Sequence, residues 1–260
     1  MRRLSIPAMA TTQQPGRLRV GTSGWGHPQW RGHLYPPGLR STDWLAHYAR
    51  HFDTVEVNTS FYRLPTAAML ERWAASVPQG FLFALKAPRE ITHDRRLTAC
   101  EAPLAAFLDR LALLGPAQGP ILFQLPPRFP ADHDLLERFL DLLPPGHRYS
   151  IEFRDPSWWP DPTPTILASR NIAFCPFDLA GSRPPRHVTA DFTYVRLHGH
   201  ERPYCDRYPE PILADWSAWL RTQLDSGRDA YAFLDNTKEG DAALHDARLL
   251  HSVTLPGLDH

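Results

Sequence analysis

Two pairs of ionisable residues stand two positions apart in strand-like runs: Glu152 with Arg154, and Arg196 with His198. Strand side chains alternate between faces, so residues two apart share one. Each pair therefore sets a guanidinium beside a carboxylate or an imidazole. The run 54–62 alternates in the same way, with Glu56, Asn58, Ser60 and Tyr62 predicted on one face and Val55, Val57, Thr59 and Phe61 on the other. A row of hydrogen-bonding groups led by a carboxylate suits the lumen and mouth of a barrel. The chemistry on offer is acid–base: Glu56 or Glu152 as general base, His198 or His93 as acid, and guanidiniums to hold an anion.

The elements that must position these residues alternate between strand and helix. Strand-like runs cover 18–23, 54–61, 81–86, 120–125, 148–153, 172–177, 192–197 and 229–234. Amphipathic helices fit 66–77, 103–114, 134–143 (with Asp134 and Glu137 at capping-box spacing) and 212–224. Eight strands with helices between them predict a single (β/α)8 TIM-like barrel over 18–260, with an open doubly wound sheet as the alternative. The connection 181–191 holds two adjacent prolines and is too short for a full helix, so the sixth helix is expected to be short or missing.

The active sites of such barrels lie at the C-terminal strand ends. Collecting those positions gives Ser23 and Trp25 after strand one, and Glu56, Asn58 and Tyr62 from strand two. Strands three and four give Lys86, His93 and Gln124. Glu152, Arg154 and Trp158 follow from strand five and Asp178 from strand six. The last two give Arg196, His198, Asp235 and Asn236. Glu56, Glu152, Asp178 and Asp235 nearly balance Lys86, Arg154 and Arg196, so ion pairing could organise the site without a metal. A divalent metal would draw on the same histidines and carboxylates, but no HExxH is present, and metal ligands stay unassigned. Without GxGxxG, Walker A or GxSxG, nucleotide cofactors and serine-hydrolase chemistry have no sequence support. Loop aromatics interleaved with arginine, such as Trp25, Trp158 and Tyr204, suit stacking on a base or a sugar ring.

Composition narrows the partners. The 260 residues carry 28 Lys plus Arg against 28 Asp plus Glu, so no global field draws the chain to nucleic acid or acidic membranes. Lys86 and Lys238 are its two lysines. Three cysteines without a CxxC pair point to a reducing, cytoplasmic compartment. No apolar run reaches membrane-span length. Residues 1–17 read as a disordered leader.

The chain resembles the YecE-like family, domain of unknown function 72. The resemblance rests on Gly21-Thr22-Ser23-Gly24-Trp25, on Trp30-Arg31-Gly32-His33-Leu34-Tyr35-Pro36, and on the run from Thr54 to Pro65. It continues in Phe83-Ala84-Leu85-Lys86, Ile91-Thr92-His93, Gln124-Leu125-Pro126-Pro127, Glu152-Phe153-Arg154, Pro156-Ser157-Trp158 and Tyr194-Val195-Arg196-Leu197-His198-Gly199. It implies a TIM-like barrel similar to those of endonuclease IV and the xylose-isomerase-like enzymes, and hence a phosphodiester or sugar substrate. Where the family usually has two asparagines and then an aspartate, this chain has Asp235-Asn236-Thr237. The function expected is an enzyme acting on a phosphate-containing small molecule or on single-stranded or damaged nucleic acid. The alternatives are a carbohydrate hydrolase or isomerase and a non-enzymatic nucleic-acid-binding module.

Overall fold

The strands are nearly continuous apolar runs such as Leu82–Lys86 and Gln118–Leu125, the pattern of parallel strands covered on both faces. In the computed structural model, which describes residues 14–256, they form two parallel sheets. In chain order the elements are β1 (Leu18–Thr22), α1 (Trp44–Tyr48), β2 (Thr54–Val57), α2 (Thr59–Tyr62), α3 (Ala67–Ser76), β3 (Leu82–Lys86), α4 (Glu101–Leu111), β4 (Gln118–Leu125) and α5 (His133–Leu140). They continue with β5 (Tyr149–Phe153), α6 (Thr163–Ala168), β6 (Ala173–Phe174), β7 (Phe177–Asp178), β8 (Phe192–Leu197), α7 (Glu210–Asp225), β9 (Asp229–Leu234) and α8 (Ala242–Thr254). One sheet runs β1-β9-β8-β7 and the other β2-β3-β4-β5-β6.

The single eight-stranded ladder expected from the sequence is thus two ladders, and each seam has a local cause. Between β1 and β2 the Tyr48 hydroxyl enters the gap, accepting Thr22 N–H at 3.0 Å and reaching Thr54 O at 3.2 Å. One bridge, Ser23 with Glu56, joins the two strands. A Cβ on Gly21 would stand 2.3 Å from Thr54 O, so the approach there tolerates no side chain. At the other seam the predicted strand 172–177 is cut into β6 and β7 by Cys175-Pro176, because Pro176 has no N–H to give. β6 pairs with β5 and β7 with β8.

The expected strand 54–61 also stops early. It ends at Val57; Asn58 turns to φ −91°, ψ −15°, and residues 59–62 form a helical turn. Asn-Thr-Ser is a helix-start composition, and here it outweighs the alternation. The four expected helices are present as α3, α4, α5 and α7. For α5 the cap is Asp132, which accepts Leu135 N–H at 2.9 Å, rather than Asp134. Among the described residues no helix lies between β7 and β8, as expected for 181–191. Residues 1–13 and 257–260 lie outside the described residues. Gly16 N–H, within the segment read as a leader, bonds Leu224 O at 2.8 Å.

The larger core lies between strands and helices, and a second cluster lines the inner strand faces with Ala84, Leu122, Ala173, Tyr194, Tyr231 and Phe233. Register puts Glu56 beside Ala84 and Arg196 beside Phe233, so the charged residues occupy the same inner faces as this cluster. The Tyr48→Phe variant leaves the buried Thr22 N–H without its acceptor. We expect it to lose about 1–3 kcal/mol in denaturant unfolding; a loss below about 0.5 kcal/mol would mean the seam does not depend on that hydroxyl.

Candidate active site

Arg196, on β8 of one sheet, is buried and reaches two carboxylates of the other. Its Nε and Nη2 donate to the Glu56 oxygens at 2.8 Å each, and its Nη1 donates to Glu152 Oε2 at 2.8 Å. Glu56 also accepts the Tyr194 hydroxyl at 2.7 Å and the Ser23 hydroxyl at 2.7 Å. Arg154 Nε donates a short hydrogen bond to the other Glu152 oxygen. Burial alone would raise the Glu152 carboxyl, but Arg154, Arg196 and His198 outweigh it and hold the group well below the usual carboxylate range. Both carboxylates are 0% exposed; Glu56 accepts four hydrogen bonds and Glu152 one guanidinium on each oxygen. They hold guanidiniums in place, and neither lines the cavity where a general base would act.

His198 follows β8. Its Nδ1 lies 2.9 Å from Asp235 Oδ2 and its Nε2 lies 2.9 Å from Arg154 Nη2. Arg154 can only donate, so Nε2 is the acceptor and the neutral ring carries its proton on Nδ1, toward Asp235. Burial would raise the Asp235 carboxyl, yet the His198 hydrogen bond and charge, with Arg196 and Lys86, leave it lowered. A Cβ on Gly199 (φ +107°) would stand 2.2 Å from Arg202 O. Glycine there lets the following loop fold back and set Tyr204 edge-on to His198, with ring centroids 5.6 Å apart.

A cavity of about 210 Å³ opens at these strand ends, lined by Asn58, Phe61, Tyr62, Lys86, Gln124, Arg154, Arg196, His198, Tyr204 and Asp235. Lys86, the last residue of β3, is unlike the arginines. Its Nζ sits 4.0 Å from the Phe61 ring centroid, with no hydrogen bond or carboxylate partner among the described residues. Burial and the neighbouring Arg196 lower its pKa to about 8, against a smaller opposing pull from Glu152, Glu56 and Asp235. Arg154 Nη1 is likewise unspent, since Nε and Nη2 carry its bonds. The Asn58 amide oxygen is buried without a partner. Gln124 donates to Leu125 O at 2.6 Å and shows its amide at the cavity wall.

Other expected site residues lie at the rim or elsewhere. Tyr62 is 81% exposed at the rim, turned out by the helical turn that replaces the strand. His93 stands behind Phe61, ring centroids 4.8 Å apart, in the π-helical turn Glu90–Asp94; burial and Lys86 depress it to about 4. Trp25 packs edge-on against Trp73 at 5.1 Å, and the buried Trp158 donates to Phe129 O at 2.6 Å; both ring systems serve the core. Asp178 pairs with His200 at 3.0 Å and Arg183 at 3.2 Å, away from the cavity lining. Asn236 donates to Asp246 and to Asp206 O, at 2.7 Å each, and anchors loops. Ser23 lies beneath the site on Glu56. The cavity wall also includes Phe61, which the strand reading placed on the opposite face. Among the described residues no group of three or more His, Cys, Asp or Glu side chains is arranged to hold a metal ion. No described helix is long and apolar enough to cross a membrane.

A family model described as "Protein of unknown function DUF72" matches residues 19–257. The chain belongs to this family. The Escherichia coli K12 protein UPF0759 YecE is 36% identical over 143 residues, which is 55% of this chain and 50% of that protein, so the match spans half the length of that relative. UPF0759 YunF of Bacillus subtilis is 26% identical over 92% of this chain and 95% of its own. A crystal structure of a DUF72 protein from Thermotoga maritima superposes with a TM-score of 0.80 at 24% identity, covering 91% of this chain and 99% of that one. That likeness concerns the fold.

Two outcomes follow from the charges. Arg196→Met strands Glu56 and Glu152 in the interior, a loss of about 3–5 kcal/mol by the cost of breaking a buried ion pair; a loss under about 1 kcal/mol in urea unfolding would refute the clamp. The Lys86 pKa of about 8 lies below the ordinary value of about 10.4, so the unfolded chain binds more protons between the two. Charged Lys86 therefore destabilises the fold below about pH 8, and its share of stability rises as pH climbs from there towards 10.4. Lys86→Met should be more stable than wild type at pH 7, with the gap narrowing above pH 8. A less stable or pH-independent variant would show that burial does not oppose the charge.

Proposed function

We propose that this protein is an enzyme acting on a small phosphate-bearing substrate at the strand-end cavity, the two sheets working together as a TIM-like barrel. The observation that carries the reading is the convergence of unspent donors, Lys86 Nζ and Arg154 Nη1, on the cavity that also holds the His198–Asp235 pair. A phosphate oxygen on Arg154 would draw the guanidinium from His198 Nε2 and free that lone pair to take a proton. Asp235 would then hold the resulting imidazolium, as an orienting carboxylate does in acid–base pairs. Asn58 and Gln124 would fix the polar body of the substrate, with Tyr204 and Tyr62 at the rim. Glu56 and Glu152 would act by positioning the two arginines.

Size and charge favour this over the alternatives. About 210 Å³ suits a metabolite or one nucleotide unit rather than a duplex. Glycoside hydrolysis calls on two carboxyls flanking the scissile bond. Among the described residues Asp235 alone supplies a carboxylate to the cavity lining.

Inorganic phosphate at ten times its Kd should stabilise the wild-type fold by about 1.4 kcal/mol, a rise of about 3–6 °C in melting temperature. Arg154→Gln should abolish most of that rise. Equal shifts in both proteins would remove Arg154 from the site. On any phosphoester that the wild type turns over, His198→Ala should lower kcat by about 10²–10⁴; an unchanged kcat would reject the acid–base role.

A further inference from the structure

We propose that Lys86 is an amine nucleophile that condenses with the carbonyl carbon of a phosphorylated aldehyde or ketone. The inference rests on the phosphate-bearing substrate read above and names its reacting group. Three observations carry it. Lys86 points into the cavity with no acceptor, where a lysine kept only for structure would be ion-paired, as Arg154 and Arg196 are. The Phe61 ring at 4.0 Å screens one side of Nζ from water and leaves the other to the cavity. His198, whose Nε2 can take and return a proton, lines the same cavity.

The strand order separates the amine from the anion anchor. Lys86 ends β3 and Arg154 follows β5, with β4 between them, so their backbones lie about two strand spacings, roughly 9.6 Å, apart. Both side chains reach inward from that span, which suits a short chain with phosphate at one end and carbonyl at the other. In the reaction the Nζ lone pair forms the C–N bond and the carbonyl π pair moves to oxygen. The ammonium proton passes to that oxygen through His198 to give the carbinolamine. Loss of a second nitrogen proton and of hydroxide, leaving as water, gives the imine; no oxidant or reductant is needed.

The lowered pKa supports the chemistry. At pH 7.5 about a quarter of Lys86 is free amine, against about a thousandth of an ordinary lysine. The chain makes the test clean, because Lys238 is its only other lysine. Wild-type protein is incubated with glyceraldehyde 3-phosphate and sodium cyanoborohydride at pH 7.5, and the adducts are located by peptide mass mapping. We expect Lys86 to be modified at least about tenfold faster than Lys238, in line with its larger free-amine fraction. Inorganic phosphate should slow it. Labelling of Lys238 at the same rate or faster would overturn the proposal, and mapping the wild-type chain requires no variant at residue 86. The two readings fail separately. If phosphate stabilises the fold through Arg154 while Lys86 stays unlabelled, the amine role falls alone. If unphosphorylated glyceraldehyde labels Lys86 as fast and phosphate does not compete, the nucleophile stands and the phosphate anchor falls.

Discussion

Arg196 is the constraint on which the rest of the structure depends. It sits on β8 of the four-stranded sheet and closes onto Glu56 of β2 and Glu152 of β5, both in the five-stranded sheet. At the β1–β2 seam a single bridge and a tyrosine hydroxyl stand in for a ladder, and at β6–β7 a proline interrupts one. Three charge-assisted bonds across the interior therefore fix the relation of the sheets where backbone pairing is thinnest. A buried ion pair gains little net stability over an apolar replacement, because desolvation costs about as much as the attraction returns. Its value here is geometric, since only one arrangement of the two sheets satisfies both carboxylates.

The same clamp sets the chemistry above it. Glu152 spends one oxygen on Arg196 and the other on Arg154, which orients Arg154 toward His198. His198 is in turn held from its other side by Asp235. Each donor or acceptor in the chain from Glu56 to Asp235 is fixed by the next, which pre-organises the cavity floor and leaves the Arg154–His198 contact as the link a bound phosphate would open. Lys86 is the cation outside this chain. That makes it costly to the fold and available to a ligand, the combination expected of a functional group rather than of a structural one.

Much of this was legible in the sequence, for a definite reason. Period-two spacing is a property of strands, so Glu152/Arg154 and Arg196/His198 read as shared faces; Arg154, Arg196 and His198 line the cavity, and Glu152 reaches it through its bonds to the two arginines. Parallel strands also announce themselves by apolar runs, and the strand positions follow. The failures come where local chemistry overrides period. Asn58-Thr59-Ser60 starts a helical turn, which sends Tyr62 outward and brings Phe61 to the cavity. Tryptophans in loops were read as stacking platforms, but a side chain of that size is as readily drawn into the core, as Trp25 and Trp158 are. Neither ion-pair saturation nor the Lys86 vacancy has a sequence signature. Glu56 looks like a base until its four hydrogen bonds are counted in three dimensions.

The electrostatics of the cavity also limit where an anion can sit. A phosphate dianion against Lys86 would favour its ammonium form and return its pKa toward the ordinary value, removing the free amine. The amine therefore stays reactive only if the phosphate rests on a different cation. Arg154 meets that need: it is always charged, its Nη1 is unspent, and β4 lies between its strand and that of Lys86. Arg196 holds up the other side of the balance, because its charge is among the causes that lower Lys86 and its own bonds to Glu56 and Glu152 keep it from moving onto the ligand. Anchor, depressor and nucleophile are thus three separate cations, each kept to its part by whether and how its nitrogens are already bound.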